Sequence, residues 1–165
     1  MARLTLRSLL LAAVWPSATG FAIHDLTKAP FDPTTALGMG YIARVEPTRL
    51  TMMCPDCIGS PTIDVQLGRQ DDGTEGRFRA GTTTVSQLET ACRAREASCR
   101  IERLQVEPAV GWMSSYRMGA QFAHTTVVLR DGDLLTVRTQ ASDSASARRN
   151  ADAMVVKLVR GVVGQ

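Results

Sequence analysis

The sequence predicts a single α+β domain in which a mainly antiparallel β-sheet carries two helices packed on one face. Three observations favour this class. Several short stretches alternate apolar and polar residues with the period of two that is typical of half-buried strands. Most connections between these stretches are short enough for hairpins, and one helical crossover interrupts them. Helical spacing of apolar residues occurs twice, once in the middle of the chain and once at its end.

Residues 1–22 predict a secretory signal peptide. The cationic stretch MARLTLR precedes the apolar run SLLLAAVW, which Pro16 ends. Small residues then allow cleavage after Gly20, with Ala18 three positions before the new terminus, or after Ala22. The apolar run is far shorter than the roughly 20 residues that a membrane-spanning helix needs. No later segment is apolar enough to span a membrane, so we expect a periplasmic or secreted protein.

The first part of the mature chain predicts an arm followed by strands. Residues 23–40 hold two prolines and two glycines and predict an irregular N-terminal arm, and residues 41–165 form the single α+β domain. Alternation is clearest in TIDVQLGR, residues 62–69. The charged, glycine-containing stretch 70–76 predicts a turn, and RFRAG, residues 77–81, predicts the strand that returns from it.

The middle helix has a clear start signal. Thr84 and Gln87 form a capping-box pattern, in which each side chain hydrogen-bonds the backbone of the other. Val85, Leu88 and Cys92 then recur at helical spacing. We therefore expect Cys92 to face the core.

The last third of the chain predicts a long β region and a closing helix. Gly119 predicts a bulge or bend within residues 112–128, and Asp131-Gly132 predicts a tight turn between two strands. Ser142 or Ser144 would cap the helix. Its apolar stripe is Ala147, Ala151, Met154, Val155, Leu158 and Val162. This succession of strand, turn, strand, small-residue loop and amphipathic helix resembles the PsbP/Mog1-like arrangement over about a quarter of the chain, and the resemblance concerns the fold alone.

The four cysteines lie after the predicted leader, and their number is even. In an oxidising compartment this favours two disulfides. Four cysteines permit three pairings, and local spacing makes Cys54–Cys57 with Cys92–Cys99 the simplest. The second of these would join the end of the middle helix to the strand that follows it.

The stretch around Cys54 and Cys57 also permits a thiol-dependent function. A redox pair would need a helix directly after its first cysteine to lower the thiol pKa, whereas glycine and proline follow here. Met52, Cys54 and Cys57 make an M-x-C-x-x-C pattern that resembles the binding loop of heavy-metal-associated domains. That resemblance implies a copper(I) site of two thiolates and a thioether. The chain departs from that family because a strand, rather than a helix, follows the pattern.

No catalytic set is evident in the sequence, and we expect no cofactor. His24 lies in the arm, and His124 shares its parity with Trp112 in the β region, so we expect His124 to be a buried strand histidine. Trp112, Tyr116 and Met118 form a row on one strand face. Such a row is either part of the core or an exposed patch for a partner or an apolar ligand.

Composition limits the classes of partner. The 165 residues carry a formal charge of +3, to which Arg3 and Arg7 of the predicted leader contribute two, so the mature chain would carry +1. So weak a charge does not favour nucleic acid. We expect an exported, non-enzymatic binding or accessory module of the cell envelope, stabilised by disulfides, whose partner is an envelope protein or a small ligand. The alternative is a protein that uses Cys54 and Cys57 for copper handling or disulfide exchange.

Overall fold

A computed structural model describes residues 20–164 and shows a single α+β domain built on one seven-stranded antiparallel sheet. The strand order is β1-β2-β3-β7-β6-β5-β4, and every neighbouring pair is antiparallel. The predicted class and the mainly antiparallel sheet are confirmed. The strands are β1 Ile42–Glu46, β2 Arg49–Met53, β3 Thr62–Arg69, β4 Arg100–Arg103, β5 Val110–Met118, β6 Gln121–Arg130 and β7 Asp133–Ala141.

Helices connect and cover these strands. The C-terminal helix runs without a break through α4, one π-helical turn and α5, and we treat its three parts as one element. The helical segments are a 3-10 turn Leu26–Lys28, α1 Pro33–Leu37, α2 Thr74–Arg79, α3 Val85–Arg93, α4 Ser144–Met154, the π turn Val155–Val159 and α5 Arg160–Val163. No helix in residues 20–164 has the length and apolar character needed to cross a membrane.

The main core lies between the C-terminal helix and one face of the sheet. Met52, Ile63 and Val137 contribute to it from β2, β3 and β7, and all three are fully buried. Met154 and Leu158 of the C-terminal helix pack against them. The helix stripe predicted from the sequence is confirmed, and the π-helical turn also brings Val159 and Val163 into the core.

The opposite face of the sheet carries a second, smaller core under α2 and α3. Phe78 of α2 stacks on Trp112 of β5 with ring centroids 5.2 Å apart, and Leu129 packs beside them. The expectation that both longer helices cover one face was therefore wrong. The physical reason is that β6 and β7 carry apolar residues at consecutive positions, so both of their faces need cover. These positions are Val127, Val128 and Leu129 in β6 and Leu134 and Leu135 in β7.

The predicted return strand at residues 77–81 is also wrong, because that stretch belongs to α2. Gly73 precedes the helix with a φ of 77°, a left-handed conformation that glycine adopts without strain. Glu75 and Arg79 then pair one helical turn apart at 2.7 Å. A single apolar anchor, Phe78, holds the helix on the sheet. The stretch therefore shows neither the apolar spacing of a helix nor the alternation of a strand.

The predicted bend at Gly119 is the turn between β5 and β6. The two strands pair up to Met118 and Gln121, which leaves a turn of two residues. Gly119 has a φ of 63°, as such a turn requires. Because the chain reverses there, even positions of β5 share a face with odd positions of β6. Trp112 consequently lies on the opposite face from His124.

The C-terminal helix begins one residue away from each predicted cap. Asp143 is the N-cap, and its carboxylate accepts a hydrogen bond of 2.8 Å from the Ser146 N–H. The capping box of Thr84 and Gln87 at the start of α3 is present as predicted.

The predicted arm packs on the domain through a few apolar anchors. Leu26 of the arm belongs to the main core, as does Phe21, which lies within the predicted leader, and the 3-10 turn and α1 lie between residues 23 and 40. The N–H groups of Ala22 and Ile23 donate to the Val162 carbonyl of α5. Most of the predicted leader, residues 1–19, lies outside the described residues.

Candidate functional site

The Cys54–Cys57 disulfide closes a short loop between β2 and β3. The Cys54 N–H donates to the Pro61 carbonyl at 3.0 Å, and the Ser60 N–H donates to the Cys57 carbonyl at 2.9 Å. Cys54 is only 1% exposed, whereas Cys57 is half-buried. The pairing of Cys54 with Cys57 and of Cys92 with Cys99 is confirmed, and none of the four cysteines is free.

No helix begins at Cys54 or Cys57. Turns and a bend occupy residues 55–59, Gly59 has a φ of 79° and Ser60 a φ of 43°, and β3 follows at Thr62. Neither cysteine therefore occupies the helix N-terminal position that activates the thiols of redox pairs. The start of α4 does pack on the same loop, where the Ser142 N–H donates to the Gly59 carbonyl at 2.9 Å. The local conformation suits a loop closure better than an exchange centre.

The residues of the M-x-C-x-x-C pattern do not converge on a common point. Met52 is fully buried in the main core under the C-terminal helix, whereas its neighbour Met53 points to the other face and is exposed. Within residues 20–164, no three histidine, cysteine or acidic side chains come together as a metal site would require. A copper(I) site here would need the disulfide to be reduced and Met52 to leave the core.

Exposed apolar side chains gather around the Cys54–Cys57 loop. Ile42 and Met53 are directly opposite one another on β1 and β2, and Ile58, which follows Cys57, is 79% exposed. Gly40 packs so closely that a side-chain carbon there would stand 3.0 Å from the Cys54 sulfur, which brings the exposed Met39 to the same region. We call Met39, Ile42, Met53 and Ile58 the disulfide-loop surface.

A cleft of about 380 Å³ lies beside this surface. Leu37, Tyr41 and Ile58 line its apolar part. The Tyr41 hydroxyl donates to Asn150 of the C-terminal helix at 3.0 Å, and burial raises the pKa of that hydroxyl. Asp56, Ser146 and Arg149 line its polar part, so the cleft offers both apolar and polar contacts.

The two edges of the sheet differ in their protection. At the β4 edge the Glu89 carboxylate of α3 accepts the Ile101 N–H at 2.9 Å, and the Cys92–Cys99 disulfide holds α3 in place there. At the other edge β1 pairs only with β2, and no other described segment hydrogen-bonds its backbone. An unpaired edge strand is a template for another extended chain.

The row of Trp112, Tyr116 and Met118 is divided between covered and open parts of one face. Phe78 covers Trp112. Tyr116 is half-buried, and its hydroxyl pairs with the Thr125 hydroxyl at 3.1 Å. Met118 is exposed at the end of the hairpin. The three residues do not form one continuous exposed patch.

His124 is buried, and its Nδ1 lies 2.8 Å from the Ser115 hydroxyl. Burial lowers the pKa of His124, and Arg148 nearby lowers it further, whereas Asp152 and Glu102 act in the opposite direction. In the described part of the chain no carboxylate hydrogen-bonds the other ring nitrogen, so the pair lacks the orienting group of a catalytic triad. His24 lies elsewhere, 3.6 Å from the Asp133 carboxylate.

Sequence reasoning identified the disulfides but missed the disulfide-loop surface and the open β1 edge. The four apolar residues of that surface are spread over 20 positions and show no pattern of their own. The chain matches no known family model, and no curated protein is significantly similar to it.

Proposed function

We propose that this protein is an exported, non-enzymatic binding or accessory module of the cell envelope. One observation carries the proposal: all four cysteines pair within two local loops, and Cys54 and Cys99 are almost completely buried. A disulfide with one cysteine so deeply buried holds its loop in place, and that buried sulfur is shielded from an attacking thiolate. Their presence is compatible with an oxidising compartment, as the leader-like N-terminal sequence predicts.

The disulfide-loop surface and the open β1 edge fit an extended segment of an envelope protein. The open β1 edge provides backbone hydrogen-bonding groups, and the disulfide-loop surface beside it provides apolar contacts. The surface clefts hold about 240 to 380 Å³, whereas sites for small molecules hold roughly 300 to 1,000 Å³. Four of these five clefts lie below that range, and the one beside the disulfide-loop surface lies at its lower end. The open β1 edge, rather than cleft size, is therefore what favours a polypeptide over an apolar small ligand.

A thiol titration of the purified mature protein tests the structural role of the cysteines. We expect no reactive thiol in the native or the denatured protein, because both pairs are oxidised. Resistance of the native protein to a mild dithiol would support the proposal. Two results would instead support the thiol-dependent alternative. One is ready reduction of Cys54–Cys57 as its disulfide passes to a client protein, and the other is uptake of one copper(I) by the reduced form.

The binding surface is tested by charge substitution at two exposed apolar positions. Ile58→Asp places a carboxylate on the disulfide-loop surface, whereas Val156→Asp, at a position 53% exposed on the C-terminal helix, is the matched control. We expect Ile58→Asp to lower the recovery of cross-linked envelope partners by about tenfold, a typical loss at a well-packed contact. Equal recovery with Ile58→Asp and the parent protein would rule out this surface.

A further inference from the structure

Backbone donors at the start of the described chain meet two carboxylates at the turn between β6 and β7. The Gly20 N–H donates to Asp131 at 2.9 Å, and the Phe21 N–H donates to Asp133 Oδ2 at 2.8 Å. Both contacts join residues more than 100 positions apart in the sequence. They lie at the point where the predicted leader ends.

Asp133 is unusual in this protein because its carboxylate is buried. Its side chain is 7% exposed, and Arg69 donates to its Oδ1 at 3.1 Å. The other oxygen faces the Phe21 nitrogen, with His24 Nδ1 at 3.6 Å. A buried carboxylate is stable only when charge and hydrogen bonds compensate it on all sides.

The charges around this point do not balance while Phe21 remains within an intact peptide. Within residues 20–164, the ion pairs of this cluster join three carboxylates to two guanidinium groups, and the neighbouring Glu75 is already paired with Arg79. The His24 side chain is 64% exposed, so solvent screens its interaction with Asp133. One further positive charge at the Phe21 nitrogen would balance the cluster, which consists of Asp71, Asp131, Asp133, Arg69 and Arg130.

Of the two cleavage positions that the sequence allows, only one provides that charge. Cleavage after Gly20 makes the Phe21 nitrogen the new terminus and removes the Gly20 N–H only from Asp131, whose side chain is 50% exposed and open to water. Cleavage after Ala22 would remove Phe21, which is 4% exposed and part of the main core, together with the hydrogen bond from Ala22 to Val162. It would also leave the Asp133 oxygen without its closest donor.

We propose that the mature chain begins at Phe21 and that the buried carboxylate of Asp133 binds its α-ammonium group. The inference rests on the export proposed above. A leader peptidase would add water across the Gly20–Phe21 bond, leaving a carboxylate on Gly20 and an ammonium group on Phe21. Because Phe21 is buried in the folded protein, hydrolysis precedes the docking of this segment. Removal of the leader thereby completes the charge cluster of the folded domain.

The first test expresses the complete sequence in a bacterial host and determines the first residue of the protein recovered from the periplasm. We expect Phe21. Exported protein that begins at Ile23 would overturn this inference and leave the proposed function intact. Protein that stays in the cytosol with its leader attached would overturn both.

The second test uses a mature chain that begins at Phe21, prepared with a free or an acetylated N-terminus. Acetylation removes the charge, and we expect the folding equilibrium constant to fall by about tenfold or more. In the Asp133→Asn variant, acetylation should lower the folding equilibrium constant little further. The control is Asp72→Asn, at an exposed position in the loop between β3 and α2, where acetylation should lower this constant as much as in the parent protein. Equal effects of acetylation in all three backgrounds would overturn the inference.

A direct titration keeps the proposal testable if Asp133→Asn does not fold. Isotope labelling of the Phe21 amine in the otherwise unchanged mature protein gives its pKa by NMR. We expect a value clearly above the ordinary range of about 7.7 to 8.0 for α-amino groups, because a carboxylate contact stabilises the charged form. An ordinary or lowered value would contradict the contact.

Discussion

At the scale of single residues, His124 shows how burial changes the chemistry of a side chain. It lies on the face of the sheet that the C-terminal helix covers, with Ser115 as its hydrogen-bond partner. Burial is the main reason that its pKa lies below the ordinary histidine value. The folded protein therefore binds this proton less readily than the unfolded chain does.

This difference predicts a loss of stability on mild acidification. Because the folded-state pKa is lowered, the stability contributed by neutral His124 is fully present above the unfolded pKa of about 6.5 and is lost as the pH falls through the folded value. One such group contributes a slope of at most about 1.4 kcal/mol per pH unit. Urea unfolding between pH 5.5 and 7.5 measures it.

We expect His124→Asn to flatten this pH dependence. Ser115→Ala, which removes the hydrogen bond but retains the histidine, is the control and should keep most of the slope. The explanation would be wrong if His124→Asn and the parent protein lost stability equally over this range.

At the scale of elements, α2 illustrates a helix that packing rather than periodicity determines. Its six residues include one large apolar side chain, Phe78, which rests on Trp112 with the Arg103 guanidinium on its ring at 5.1 Å. Isolated helices of this length are unstable in water. Contact with the sheet is thus what keeps α2 helical.

Phe78→Ala should destabilise the protein by about 3 to 4 kcal/mol, because it removes the aromatic anchor of the second core. Trp112 is the only tryptophan outside the predicted leader, so its emission should shift to the red when α2 detaches. Urea unfolding followed by tryptophan fluorescence measures both effects. Ile58→Ala, at an exposed position, should change stability by less than about 0.5 kcal/mol. An unshifted emission maximum in Phe78→Ala would contradict this account of α2.

At the scale of the whole molecule, the sheet rather than the disulfides holds the fold together. All seven strands belong to one continuous sheet, and β3, β7 and β6 in its middle pair over eight or more residues each. The two disulfides close loops of only three and seven residues in sequence separation. Short loops give small entropic gains, about 2 kcal/mol each.

Replacement of all four cysteines by alanine should therefore leave a folded protein. We expect a loss of about 4 kcal/mol, because the two disulfides close separate loops and their effects should add. The far-UV circular dichroism spectrum and a single cooperative urea transition measure the outcome. A variant without cooperative unfolding would show that the disulfides are required for the fold.

Local patterns in the sequence determined much of this protein. Four correctly predicted features depend on residues that are close together in the sequence. They are the alternation in residues 62–69, the capping box at Thr84, the Asp131-Gly132 turn and the apolar stripe of the C-terminal helix. Cysteine number and spacing likewise indicated the correct pairing. Such features can be predicted from the sequence because the residues that interact are separated by only a few positions.

Tertiary structure alone decided which residues of each strand face which layer of helices. It also decided which surfaces remain uncovered. The reversal at Gly119 moved His124 to the face opposite Trp112, and the apolar pairs in β6 and β7 required a helix on either side. The disulfide-loop surface and the contact between Phe21 and Asp133 join residues distant in sequence. Their existence depends on how the strands are ordered in the sheet, and strand order is set by the packing of the whole chain, which no local pattern encodes.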